Sequence, residues 1–425
     1  MKASIVEESG SKVKLQIEID LKGTMLDMEY AIQQGVNELG NLATKKALKK
    51  FDTDGTNIKI GEITLTSKGQ VSQTYQTPYG EVPVERHLYQ SSSGGQTFCP
   101  LEKDGRIILT STPKFAKIVS SKYVEQGATK VERDLSENNS RVISRSYIKN
   151  LGDFVGALAQ SKEEKWEYEL PHLERKVSTI SISVDGTCML LCDEGWREAM
   201  TGAISLYDSE GERLHTIYSG ATPEYGKAKF KERFDRELMR LKVKYGEVLY
   251  IGLADGAKDN WPYLKEHTDM QVIDFWHASE YVVKASNAIY PRKKDKAISE
   301  EWVETNLHNL KHEEGGAKKL IKEMEEKAKE VKVETRKEKL ESSIRYFKNN
   351  YTRMNYSYCV NENLPIGSGV CEAACKTLIK ERLCSSGMRW KEDGASAIIT
   401  LRAIHMTGNR WGQFWEKIDQ YGIAA

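Results

Sequence analysis

Asp185 stands near the end of the run Ser-Ile-Ser-Val-Asp-Gly-Thr at residues 181–187, in which Ile182 and Val184 alternate with serines. A two-residue alternation is the pattern of a strand, and it puts a carboxylate at the strand's C-terminal edge, before a glycine. Asp255 follows a second such run, Val-Leu-Tyr-Ile-Gly-Leu-Ala, and again precedes glycine. Asp274 ends a third run at 270–273 and leads into His277. Glu372 sits in Gly367-Ser-Gly-Val-Cys-Glu372, which opens a helical pattern. Strand ends are where a rigid scaffold presents chemistry, so carboxylates placed this way point to a divalent-metal site. Each has a plainer account when taken alone. Asp-Gly is a common turn, and a glutamate in a first helical turn is favoured by the helix dipole. The combination, in this order, carries the chemical reading.

Two aspartates and a glutamate on adjacent elements can hold two Mg²⁺ ions roughly 3.5–4 Å apart, with Mn²⁺ able to substitute. One ion activates a water or a DNA 3′-hydroxyl, and the other stabilises the leaving oxygen. Mg²⁺ takes hard oxygen ligands and keeps several waters, which suits a sparse carboxylate set.

The elements that must position these residues follow from the pattern. Strands are expected near 180–184, 199–207 and 213–218. A long helix from about Pro223 to Lys244, a strand at 248–254, a short helix near 259–267 and a strand at 270–274 come next. This order predicts an α/β protein with a ribonuclease-H-like catalytic domain whose first part spans 175–277. Residues 278–360 read as a charged, all-helical insertion, with Leu320, Ile321, Met324, Leu340 and Ile344 as an apolar stripe. The catalytic fold resumes in helices over 361–425, closed by Trp411, Phe414 and Trp415 as core.

Upstream, residues 1–110 predict an α+β domain. Val13, Leu15, Ile17, Ile19 and Leu21 alternate as in a half-buried strand, and 26–51 takes helical spacing. Strand-like runs follow near 62–66, 71–77 and 81–89, with a turn at Pro78-Tyr-Gly80 and a loop at 91–95. Residues 111–160 predict three short helices broken at Gly127 and Asn138-Asn139. Ser144 is the N-cap of the third, and Tyr147, Leu151, Phe154 and Leu158 form its apolar face. Arg145 and Lys149 share another face, with Arg141 just before. A basic stripe on a third helix is the pattern of a helix-turn-helix-like DNA-binding unit; the alternative is an ordinary helical subdomain.

Composition excludes several classes. The 425 residues carry a net charge of +1 with 29% charged residues, so no global field draws in nucleic acid and any contact is local. No apolar run approaches the roughly 20 residues that span a bilayer. The N-terminal residues lack the apolar core of a signal peptide. Seven cysteines without framework spacing predict reduced thiols in a cytoplasm. Cys371 and Cys375 lie four apart, but no second Cys/His pair accompanies them to make a zinc site.

The chain resembles DDE transposases of bacterial insertion sequences, especially the ISKra group, related to the Mutator-like and hAT superfamilies. The matching pieces are Thr77-Pro-Tyr-Gly-Glu-Val with Arg86, Ser183-Val-Asp185-Gly and Gly252-Leu-Ala-Asp255-Gly-Ala. Further on come Asp274-Phe-Trp-His277-Ala, Arg353-Met-Asn-Tyr, Pro365-Ile-Gly-Ser-Gly-Val-Cys-Glu372-Ala and Gly387-Met-Arg-Trp390. The ordered set covers most of the chain from about residue 75; the first 70 residues match nothing recognisable.

The resemblance implies that Asp185, Asp255 and Glu372 are the catalytic, metal-binding triad, with an all-helical insertion before the glutamate. It identifies Asp274-x-x-His277 with the C/D-x-x-H signature of those superfamilies. It also implies DNA as partner, at terminal inverted repeats and at the target, a homodimer or higher oligomer, no membrane, and a bacterial cytoplasmic, nucleoid-associated location. Arg389 and Trp390 follow the Glu372 helix and are expected to hold a phosphate and stack on an unpaired base, with a core role for Trp390 as the alternative. Two other functions fit the residues: a sequence-specific DNA-binding protein derived from a transposase, and a ribonuclease-H-like nuclease or resolvase without strand transfer.

Overall fold

The computed structural model describes residues 2–224, 227–257, 259–291 and 295–423. It is a mixed α/β protein in two units, one of Met1–Glu169 with Asn409–Ala425, the other of Leu170–Gly408.

In the first unit, β1 (Lys2–Ser9) and β2 (Lys12–Glu18) form a hairpin. Helix α1 (Met25–Lys49) starts at a capping box in which Thr24 and Asp27 satisfy each other's free backbone donors. An antiparallel sheet follows in the order β3 (Ile58–Ile60), β4 (Ile63–Gln76), β5 (Glu81–Ser91), β6 (Gly94–Phe98). The two runs expected near 62–66 and 71–77 are one strand with an irregularity between Ser67 and Gln70, and the expected loop at 91–95 already begins β6 at Gly94. The hydroxyl of Thr77 accepts from the Tyr79 and Gly80 amides at 3.1 and 3.0 Å and so fixes the β4–β5 turn. Arg86 is buried, donating to the Tyr75 hydroxyl at 2.7 Å and to Glu102 at 3.1 Å.

After α2 (Pro100–Asp104) come α3 (Pro113–Glu125), α4 (Ala128–Asn139) and α5 (Arg145–Lys162). Ser144 caps α5 by accepting from the Tyr147 amide. The buried face of α5 is rotated from the expected one. Ile148, Leu151, Val155, Leu158 and Ala159 are buried, whereas Phe154 is 37% exposed and the Tyr147 hydroxyl bonds Ser111 at 2.7 Å. Both sets satisfy helical spacing, and packing on α3 and α4 selects between them. The last helix, Arg410–Tyr421, belongs to this unit rather than closing the fold of the preceding helices: Phe414 meets Trp166 at 5.8 Å, and Phe414, Trp415 and Ile418 are buried.

The second unit is built on a five-stranded sheet. A long hairpin pairs β7 (Thr179–Leu191) with β8 (Gly195–Tyr207), and β9 (Arg213–Ala221) lies antiparallel beside β8. Helix α6 is described from Ala228 to Tyr245; the expected start near Pro223 runs into residues 225–226, outside the described residues. Then come β10 (Leu249–Ala254), α7 (Asn260–His267) and β11 (Met270–Ile273), with β10 parallel to β7 and β11 parallel to β10. The order across the sheet is β11-β10-β7-β8-β9.

Residues 179–184 of β7 are buried on both faces, serines included. Ile180, Ile182 and Val184 join a core with Phe230, Phe234, Leu238 and Leu241 of α6. A Cβ on Gly202 of β8 would collide with the Phe234 ring, so glycine lets α6 approach closely. On the opposite face, a Cβ on Gly220 of β9 would meet Ile399 and Leu378, both at 2.7 Å.

Helices α8 (Phe275–Ile289), α9 (Lys296–His312), α10 (Gly316–Ala328) and α11 (Glu334–Asn350) follow β11. Leu320, Met324, Leu340 and Ile344 of the expected stripe are buried in the same core, and Ile321 packs against it. Short α12 (Tyr356–Asn361) leads to α13 (Gly369–Ala374), which continues as a π-turn (Cys375–Lys380) into α14 (Glu381–Leu383) and, after a break, α15 (Glu392–Met406). No helix among the described residues is long and apolar enough to cross a membrane.

Candidate functional site

Strand register sets the carboxylates in a row. Leu253 pairs with Ser183, so two residues further on Asp255 lies level with Asp185. Ala254 pairs with Ile273, which brings Asp274 level with Asp255. The Asp274 amide donates to the Ala254 carbonyl at 2.9 Å and extends the ladder to that point. Parallel neighbours lie about 4.8 Å apart, so the three aspartates sit side by side. Asp255 and Asp274 directly follow β10 and β11, whereas Asp185, expected at a strand's C-terminal edge, is mid-strand, because β7 runs on to Leu191 in its hairpin with β8.

Their surroundings differ. Asp185 Oδ1 accepts from the Gly186 amide at 2.7 Å, and Oδ2 accepts from the Cys375 thiol at 3.2 Å. Asp255 Oδ1 accepts from the Ala257 amide at 2.9 Å, and Oδ2 lies 3.7 Å from His277 Nε2. Asp274 is 0% exposed and caps α8: Oδ1 accepts from the His277 amide at 2.9 Å, while Oδ2 accepts from the Ser368 amide and, at 2.8 Å, its hydroxyl. Through Ser368, Asp274 anchors the Gly-Ser-Gly segment that delivers α13, and the Phe275 amide donates to the Ile366 carbonyl at 2.9 Å on the same path.

Glu372 is on the first turn of α13, exposed. Asp185 pairs with Thr201 across β7 and β8; Thr201 meets the Cys375 thiol at 2.8 Å, and the Cys371 thiol donates to its carbonyl at 3.8 Å. The two cysteines therefore seat the glutamate's helix on the sheet face that carries Asp185. Loss of water pushes the Glu372 carboxyl above its ordinary value; Asp274 adds to this, His277 opposes it, and Asp185 and Glu280 add the rest. Burial, then Asp185, pushes the Cys375 thiol up to about 12. Tyr346 of α11 donates to the Asp255 carbonyl at 3.2 Å and stacks on Tyr281 at 3.7 Å. Trp276, between Asp274 and His277, is 69% exposed.

The carboxylates offer the oxygen chemistry that a hard divalent cation takes. Burial and then Asp274 raise Glu372, and among the described residues no Lys or Arg forms an ion pair with these four carboxylates. As the described side chains stand, no three His, Cys, Asp or Glu are grouped tightly enough to hold a metal ion.

The residues expected to touch DNA are placed differently from one another. Arg141 is 6% exposed; it donates to the Thr77 carbonyl at 3.1 Å and to Gln76 at 2.6 Å and lies over the Phe115 ring. It ties the β4–β5 turn to α3 and is spent inside the unit, which corrects its expected role on a DNA-facing stripe. Arg145 is exposed and pairs with Glu132 at 2.6 Å, and Lys149 pairs with Asp153. Trp390 is half-buried: its indole donates to the Leu383 carbonyl at 3.0 Å, Arg382 covers its ring, and its backbone bridges to Leu191. Leu191 is roughly 20 Å along β7 from Asp185 at the usual strand rise, so Trp390 and its neighbour Arg389, expected near the carboxylates, flank the far end of the hairpin.

Sequence reasoning missed Cys375, Ser368 and Tyr346 as partners of the aspartates. A thiol, a serine and a tyrosine carry no spacing signal that links them to Asp185, Asp274 or Asp255.

Three UPF0236 proteins of Caldanaerobacter subterraneus subsp. tengcongensis are similar to this chain, each 23% identical, over 397, 413 and 397 residues. The alignments cover 90% of this chain and 79%, 79% and 75% of the relatives. No family model matches the chain.

Proposed function

We propose that this protein is a DDE-type DNA transposase of a bacterial insertion sequence, cutting strands at the element's ends and joining them to a target. The observation that carries this reading is the level row of Asp185, Asp255 and Asp274 on adjacent parallel strands, with Glu372 on a helix seated beside Asp185. Three antiparallel strands followed by two parallel ones on the other side of the first support a ribonuclease-H-like sheet, and α8–α11, between β11 and the Glu372 helix, fit an inserted helical block. The second relative's name joins eleven designations in one organism, which fits a gene that multiplies within its genome.

Phosphoryl transfer asks a protein mainly for positioning and charge stabilisation. Asp185, Asp255 and Glu372 would hold Mg²⁺, which supplies charge neutralisation at the phosphate and an activated oxygen nucleophile. The Cys375 thiol orients Asp185. His277 lies beside Asp255 at the edge of the site, its Nε2 3.7 Å from Oδ2. Asp274 has its oxygens filled by three donors and braces α8 against Ser368. Arg145 and Lys149 are candidates for end binding, because exposed ion pairs contribute only about 0–1 kcal/mol and DNA phosphates can displace them. Two ends must be held together, so the working form is a dimer or larger.

The test uses purified protein, Mg²⁺ and a labelled duplex carrying the gene's own flanking repeats. Nicking at the repeat tip is expected for the parent and is lost in Asp185→Asn, Asp255→Asn and Glu372→Gln, each still binding the duplex. Nicking without joining to a second duplex favours the nuclease reading. Binding without nicking by the parent overturns the enzyme reading in favour of a DNA-binding protein.

A further inference from the structure

Beside Asp255 the second unit contains a cavity of about 570 Å³. Its lining includes Gly256, Trp261, Lys265, Tyr346, Asn349 and Arg353. The rim is continuous with the candidate site, because Gly256 follows Asp255 directly and Tyr346 donates to the Asp255 carbonyl. Gly256 has φ +108°, and a Cβ there would stand 3.2 Å from the Tyr346 ring, so only glycine turns the chain from the site into the cavity wall.

The cavity's charge is positive and uncompensated. The Arg353 guanidinium lies over the Trp261 ring at 4.5 Å, and Trp261 is 6% exposed, a rigid platform. A guanidinium stacked on an indole keeps its N–H donors in its own plane, where they can meet two oxygens of one anion. Lys265 is exposed on α7, and among the described residues neither Lys265 nor Arg353 has a carboxylate partner. Asn349 adds an amide, and the Tyr346 and Trp261 rings add apolar wall.

A polyanionic strand brought to Asp185, Asp255 and Glu372 is repelled by them until cations grip it nearby. We propose that this cavity binds a phosphodiester of the DNA strand next to the one cut, with Arg353 and Lys265 neutralising it and Asn349 donating to it. This rests on the proposed function and adds the place where the strand is held.

The experiment uses the full chain and a labelled single-stranded oligonucleotide, titrated by fluorescence anisotropy over a salt series without divalent metal. Arg353→Gln and Lys265→Gln are each expected to weaken binding about tenfold and to reduce the log–log salt slope by roughly 0.7 per lost phosphate contact. Arg353→Lys should restore the slope and only part of the affinity. Lys265 is exposed, so its variant decides the matter if Arg353→Gln melts early. Unchanged affinity and slope in the Gln variants overturn the proposal. So does competition by inorganic phosphate or a mononucleotide at lower concentration than the oligonucleotide, which would make the cavity a site for a free small anion. If Asp185→Asn abolishes nicking while the Gln variants bind normally, the enzyme reading stands and the cavity proposal falls. If the Gln variants lose binding and no protein nicks DNA, the cavity stands and the enzyme reading falls.

Discussion

Asp274 and Asp255 are neighbours in one row, yet their partners give them different work. Asp274 accepts from two amides and a hydroxyl in a fully buried position. Asparagine there would turn an NH₂ group toward donors that need an acceptor, and a buried unmet donor costs about 1–3 kcal/mol. Asp274→Asn should therefore lower the unfolding free energy by about that much in urea melts, while Asp255→Asn stays within about 0.5 kcal/mol of the parent. Glu372 gives a pH test. Its folded pKa is raised, so it favours the folded state below its unfolded value near 4.5 and loses that contribution as pH rises through the folded value. At neutral pH without metal, Glu372→Gln should melt no lower than the parent, and added Mg²⁺ should raise the parent's melting temperature more than the variant's. Asp255 and Asp274 were legible because strand alternation marks its own end; Asp185 was read as a strand end because Asp-Gly looks like a turn, whereas β7 runs on past it to Leu191. Arg141 was not, because a buried arginine with carbonyl partners and a phosphate-binding one look alike in a sequence.

The glutamate's helix is the element that most needs its exact setting. Its π-turn starts at Cys375, whose thiol reaches Asp185, one turn beyond Cys371, whose thiol reaches the Thr201 backbone. Single π-turns inside helices recur at functional sites. Cys375→Ser keeps a donor for Asp185 and should nick DNA at close to the parental rate. Cys375→Val keeps the volume and removes the donor, so nicking should fall severalfold with little change in melting temperature. Equal rates for the two variants would reduce the thiol to packing. Legibility at this scale was uneven. Ser144 announced the start of α5, because a serine before a helical run has one good use. The face of α5 did not, since 147-151-154-158 and 148-151-155-158 are both apolar. Trp390 was misplaced because chain order after Glu372 says nothing about the length of the β7–β8 hairpin it packs beside.

The chain leaves its first unit at Glu169 and returns at Asn409, and the return is stitched: Gln413 accepts from the Glu169 amide at 2.7 Å and donates to its carbonyl at 2.9 Å. Residues 170–408 expressed alone should give a cooperative melt, since their core is their own. Removing 409–425 should leave that transition in place and make residues 1–169 bind a hydrophobic dye and yield to protease, because Trp166 loses Phe414 and Tyr421. The same stitching sets an order on the ribosome. At roughly 5–20 residues per second, the nascent first unit waits tens of seconds with its Trp166 side uncovered, while the carboxylate-bearing unit emerges complete before the helix that seals its predecessor. A ribosome that stalls late thus releases a chain whose sheet and carboxylates are finished and whose other unit is still open, the form that cellular proteases remove first.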